Sequence, residues 1–166
     1  MRELLHRVER TLYRASNIGG LVNQFLLGGV VLLIVLEIVR RYIFNRPIAY
    51  TVELVEMGLS IIVFLAIVVC TVERGHVNID MLLRRFSPRS QAAINSFFYF
   101  LCAWLFGLIA WRCFVYALQL RIISQVSMML KLPYYPFVLV MALCALLTSL
   151  VFLSQFIHFV AEAVRK

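Results

Sequence analysis

The run Glu37-Ile-Val-Arg-Arg-Tyr-Ile-Phe-Asn-Arg-Pro-Ile-Ala-Tyr-Thr-Val-Glu-Leu-Val-Glu56 leads into sixteen uncharged residues, Met57 to Val72. Glu73-Arg-Gly-His-Val-Asn-Ile-Asp-Met-Leu-Leu-Arg-Arg-Phe86 follows. Asn45-Arg46-Pro47 reads as a turn, since proline cannot continue a helix and biases its predecessor toward extended backbone. Thr51 is placed to cap the helix that follows, with Glu53 in its first turn at the positive dipole end. Sixteen uncharged residues with these flanks are long enough to cross a bilayer core. Glu53, Glu56 and Ser60 share one face of that helix, which should therefore meet protein or headgroups.

The second half of the stretch has a different period. Ile79, Leu82, Leu83 and Phe86 fall at i, i+3, i+4 and i+7, with Asp80 and Arg84 paired on the other side. Eleven residues cannot span, so the pattern predicts a short amphipathic helix in the interface plane over about 77–86. Ser87-Pro88 then suits a helix start, with serine as cap and proline in the first turn.

Working outward, the same solvent recurs. Of 166 residues, 63% are hydrophobic and mean hydropathy is +0.94, beyond the ~45–50% apolar content usual for soluble domains. Ala15 to Leu36 is uncharged for twenty-two residues, too long for a cleaved signal, and is expected to stay as an anchor. Ser90 to Trp111 is likewise uncharged, and Trp104, Trp111 and Tyr116 suggest an interfacial aromatic belt. The stripe Leu118, Ile122, Val126, Met129 extends this helix toward Leu130, before Lys131-Leu-Pro-Tyr-Tyr-Pro breaks it. A last apolar span lies within Phe137 to Val160.

The expectation is an all-α membrane protein in one domain. Its four transmembrane helices fall at about 18–39, 54–72, 90–114 and 137–160, with the interfacial helix between the second and third. A further short interfacial helix is expected over residues 1–14. Gly19, Gly20, Gly28 and Gly29 are expected to let the first span approach a neighbour closely. Ten Lys/Arg lie at the two ends and in the second loop, against six in the first and third loops. That excess places both termini in the cytoplasm. The net charge of +8 sits between apolar runs, as in membrane proteins, and does not point to nucleic acid.

Chemistry is sparse. Cys70, Cys102, Cys113 and Cys144 lie in or beside apolar runs without metal-site spacing and read as small hydrophobes. His6, His76 and His158 are not placed to face one another at mid-membrane as haem ligands. No HExxH, Walker A loop or GxSxG occurs, so no cofactor, metal or catalytic group is assigned. The middle thirds of all four spans lack Asp, Glu, Lys, Arg and His, whereas carriers keep ionisable groups or broken helices there. Glu37 has Arg40 and Arg41 at i+3 and i+4 and is expected to form an ion pair. Two other readings are a stand-alone carrier using Glu37 or Glu56 as a coupling carboxylate, and a redox-complex anchor with His ligands.

Arg41-Tyr42-Ile43-Phe44-Asn45-Arg46-Pro47, then Glu53-Leu54, Phe64-Leu65, Arg74-Gly75-His76 with Asp80, and the fainter Leu132-Pro133, together resemble a known pattern. It is that of the DctQ-type small membrane subunit of tripartite ATP-independent periplasmic (TRAP) transporters. Tyr50 stands where that family commonly has Trp, and a single acid precedes Leu54. The resemblance implies a scaffold subunit in the bacterial inner membrane. It would pair with a large multi-helix permease and a periplasmic solute-binding protein, for cation-gradient-driven uptake of organic acids. Residues implied as partner contacts or structural motif are Arg41, Tyr42, Asn45, Pro47, Glu53, Glu56, His76 and Asp80. Membrane lipid is the remaining expected partner.

Overall fold

A computed structural model describes residues 2–45, 50–73 and 88–165. Four helices make up the described chain: α1 (Arg2–Phe44), α2 (Thr51–Val72), α3 (Pro88–Ile123) and α4 (Tyr135–Arg165). Each contains a segment long and apolar enough to cross a membrane. The protein is thus an all-helical, multi-pass membrane protein. The interfacial helix expected over 77–86, with His76 and Asp80, lies outside the described residues, as does Pro47.

Inter-helix contacts fix direction and order. Gly19 of α1 lies against Val69 of α2, and Val30 against Gly58. Eleven residues forward on α1 thus correspond to eleven backward on α2, so the two are antiparallel. Glu53 near the start of α2 bonds to Leu130 just before α4, and Gln155 of α4 bonds to Thr71 of α2, twenty residues beyond the first residue of each helix, so α2 and α4 run parallel and start level. Ser149 of α4 bonds to Ala103 of α3, and Phe100 meets Phe156, which makes α3 antiparallel to α4. The bundle is up-and-down, ordered α1, α2, α4, α3, with both termini at one end and the first and third loops at the other.

Small side chains make the α3–α4 contact. Ala103, Ala110 and Ala117 of α3 are buried at intervals of seven, and α4 buries Ala142 and Ala145 in turn. A seven-residue repeat is the seam of a coiled-coil contact, and small residues let helices approach where lipid offers no hydrophobic drive. Phe152 fills the wider part, its ring against Tyr99 at 6.2 Å and Phe106 at 5.7 Å. Several serine and threonine hydroxyls inside the spans are spent on the backbone, whereas the buried Ser96 hydroxyl has no partner among the described residues. Ser60 donates to Glu56 O, Thr71 to Ile67 O, Thr148 to Cys144 O and Ser154 to Val151 O. Hydrocarbon cannot supply those partners.

Four local expectations are corrected. The amino-terminal residues form no separate short helix; from Arg2 they are continuous with the first span. Because charged and apolar positions there keep one helical phase, nothing interrupts the backbone ladder. The close α1–α2 approach uses Gly58 of the second span. A Cβ there would come within 2.9 Å of Val30 Cγ2; of the four first-span glycines only Gly19 meets a neighbour, Val69, while Gly20, Gly28 and Gly29 meet nothing within 4 Å. Thr51 is the first helical residue and is buried. The cap position is Tyr50, whose side chain makes no cap hydrogen bond. Finally, α3 stops at Ile123, short of Leu130. Ser124 takes a left-handed φ of 53°, its N–H donates to Arg121 O, and that of Gln125 donates to Leu120 O. This paired bonding is a Schellman termination, with serine where glycine is commoner.

Candidate functional site: a turn held by Glu53

Residues 124–134 would be expected to leave several backbone donors bare between two membrane helices. They do not. Ser127 N–H donates to Leu132 O at 2.9 Å, Lys131 N–H to Ser127 O at 3.1 Å, and Tyr134 N–H to Gln125 O at 3.4 Å. Val126 and Pro133 form an antiparallel bridge. Lys131 takes a left-handed φ of 53°, which turns the chain back toward α4.

Three further donors go to Glu53. Its carboxylate accepts the Ser127 hydroxyl, Met129 N–H at 3.1 Å and Leu130 N–H at 3.2 Å. Leu130 N–H also approaches Ser127 Oγ at 3.3 Å. Ser127 is 1% exposed. Hydrogen bonds to an ionised acceptor are the stronger kind, and three converge on one carboxylate. Glu53 therefore joins the start of α2 to the turn between α3 and α4, welding the first- and third-loop ends of the bundle together. Its expected role as a first-turn dipole partner is compatible with this, because the same carboxylate sits in the first turn of α2.

The other residues singled out in the sequence divide sharply. Arg41 pairs with Glu37, Nη2 to Oε1 at 2.6 Å and Nε to Oε1 at 2.9 Å. Glu37 is sheltered while Arg41 reaches outward. Continuing the α1–α2 register places Glu37 level with Thr51, at the bundle end and away from its centre. Beyond it Tyr42, Ile43 and Phe44 are exposed, and Asn45, with φ of 49°, ends α1 in the left-handed conformation asparagine tolerates. Glu56 is exposed, with its carbonyl accepting from Ser60. Arg41 and Glu53 therefore belong to two separate polar clusters, with Glu56 in neither.

Two functional partners escaped the sequence reading. Ser127 sits in a stretch whose apolar positions continue a helical stripe, so its neighbours masked it. A hydroxyl just before Met-Met-Leu-Lys-Leu-Pro, where the chain must turn, was the available signal. Gln155 donates from Nε2 to Thr71 O at 3.0 Å in a buried position. A lone amide within an apolar span needs such an acceptor. Among the described residues no group of three or more His, Cys, Asp or Glu could hold a metal. The arrangement positions helices and loops.

The DctQ component of tripartite ATP-independent periplasmic transporters, as a family model, matches residues 30–162. No curated protein and no solved structure matches the chain. The matched region contains α2 and α3 whole, nearly all of α4, the last fifteen residues of α1, and both halves of the Glu53–Ser127 contact. The chain belongs to the DctQ family of TRAP transporter small components.

Proposed function

We propose that this chain is a non-catalytic brace for the large permease subunit of a TRAP transporter. The transporter takes up organic acids down a cation gradient after delivery by a periplasmic binding protein. The carrying observation is that the middle thirds of its spans hold no Asp, Glu, Lys, Arg or His, while the span hydroxyls described above are bonded within the chain. A path for a carboxylate substrate and its cations needs charged or polar groups at the midplane; in this account the large subunit supplies them.

What this chain supplies is stiffness and surface. Glu53 locks one end of the bundle and Gln155 the other. The flank of α1 away from α2 is exposed and apolar, with Phe25, Val31 and Leu32 among its residues. The end holding the termini faces the cytoplasm of the bacterial inner membrane, in line with the Lys/Arg excess there. Affinity purification from native membranes tests this reading. A large hydrophobic subunit should accompany the chain in fixed ratio, and its isolation without such a partner would contradict the proposal.

A further inference from the structure

The turn between α3 and α4 combines exposed apolar side chains with a backbone most of whose N–H groups are bonded within the protein. Met128 is 95% exposed, Ile122 82% and Ile123 71%, with Val126 and Met129 also outward. The N–H groups of Ser124, Gln125, Ser127, Met129, Leu130, Lys131 and Tyr134 all have acceptors within the protein. In water neither feature is needed. In a low-dielectric layer both are, because an unpaired peptide group there costs several kcal/mol.

Depth and charge point the same way. The twenty-two residues of α2 rise about 33 Å, close to the ~30 Å hydrocarbon thickness, so its ends have little slack and sit at the two boundaries. Glu53 is the third residue of α2 and is bonded to the turn, which fixes the turn at boundary depth. Arg121 and Lys131 flank it and are exposed. Glu53, the acid nearest the turn, is already occupied by turn donors. The result is an apolar tip between two cations that have no acidic partner among the described residues.

We propose that the α3–α4 turn is a membrane-interface anchor. Val126, Met128 and Met129 would enter the headgroup–acyl boundary of the bilayer, and Arg121 and Lys131 would bind phospholipid phosphates. Glu53 makes the turn insertable by taking up donors that lipid could not satisfy. This inference requires only that the chain spans a bilayer, and its failure would leave the transporter reading intact.

The test is photo-crosslinking of the purified transporter complex carrying a benzophenone amino acid at position 128. The complex is reconstituted in vesicles of phosphatidylethanolamine with phosphatidylglycerol, and the products are read by mass spectrometry. A phospholipid adduct at position 128 is expected. Neutralising the flanking cations together (Arg121→Gln with Lys131→Gln) should lower the phosphatidylglycerol adduct about fivefold or more, with the phosphatidylethanolamine adduct less affected. An adduct to another protein subunit, or recovery of the chain without any adduct, would overturn the anchor. An unchanged lipid ratio in the double variant would remove the phosphate contacts from it.

Discussion

Glu53 and Ser127 stand 74 residues apart in the chain and share a hydrogen bond from hydroxyl to carboxylate. That bond closes the bundle between α2 and the α3–α4 turn, and the Met129 and Leu130 amides converge on the same carboxylate. Replacing Glu53 with Ala removes all three acceptor contacts at once. Hydrogen exchange at Met129 and Leu130 should then accelerate on the order of tenfold or more, since their native acceptor is gone. Ser127→Ala should accelerate it less, because both amide bonds to Glu53 survive.

At Gly58 α2 packs closely against Val30 of α1. A side chain there meets Val30 Cγ2 at 2.9 Å from the Cβ position alone. Gly58→Leu should destabilise the α1–α2 contact by about 1–3 kcal/mol, the usual cost of overpacking. Gly28→Ala, in open space, should be neutral or slightly stabilising. Thermal unfolding of both variants in detergent separates the two positions.

Much of this was legible beforehand, and the limits have physical causes. Uncharged runs of bilayer length identify four spans because hydrocarbon tolerates little else. The pairing of Glu37 with Arg41 follows from helix spacing alone. By contrast, the end of α3 depended on a contact with residue 53. The stripe Leu118, Ile122, Val126, Met129 has good helical period, yet a Schellman turn at Ser124 and the distant carboxylate prevail over it. Likewise, no local pattern distinguishes Gly58 from Gly28. Which glycine lies in a contact is decided by the register between two helices.

Gln155 places its amide against the Thr71 carbonyl in a buried setting. Gln155→Leu removes the donor and leaves a carbonyl with one partner fewer. A loss of about 1 kcal/mol is expected, within the range found for hydrogen bonds between membrane helices. The unfolding midpoint should fall accordingly, and Gln155→Glu should fall further because it also buries a charge.

For Glu37 and Arg41, a double-mutant cycle with Glu37→Gln and Arg41→Gln should give a coupling of about 0.5 kcal/mol, as for other i, i+4 pairs with one exposed member. Substrate uptake by the whole transporter should persist in Glu37→Gln. Loss of uptake with an intact complex would instead assign that carboxylate to the coupling path.

The most direct measurement compares uptake of a labelled organic acid into proteoliposomes holding this chain alone with uptake into those holding it with its co-purified large subunit. Binding protein and a sodium gradient are supplied to both. The account predicts accumulation only where the large subunit is present. Gradient-dependent accumulation by this chain alone would contradict it.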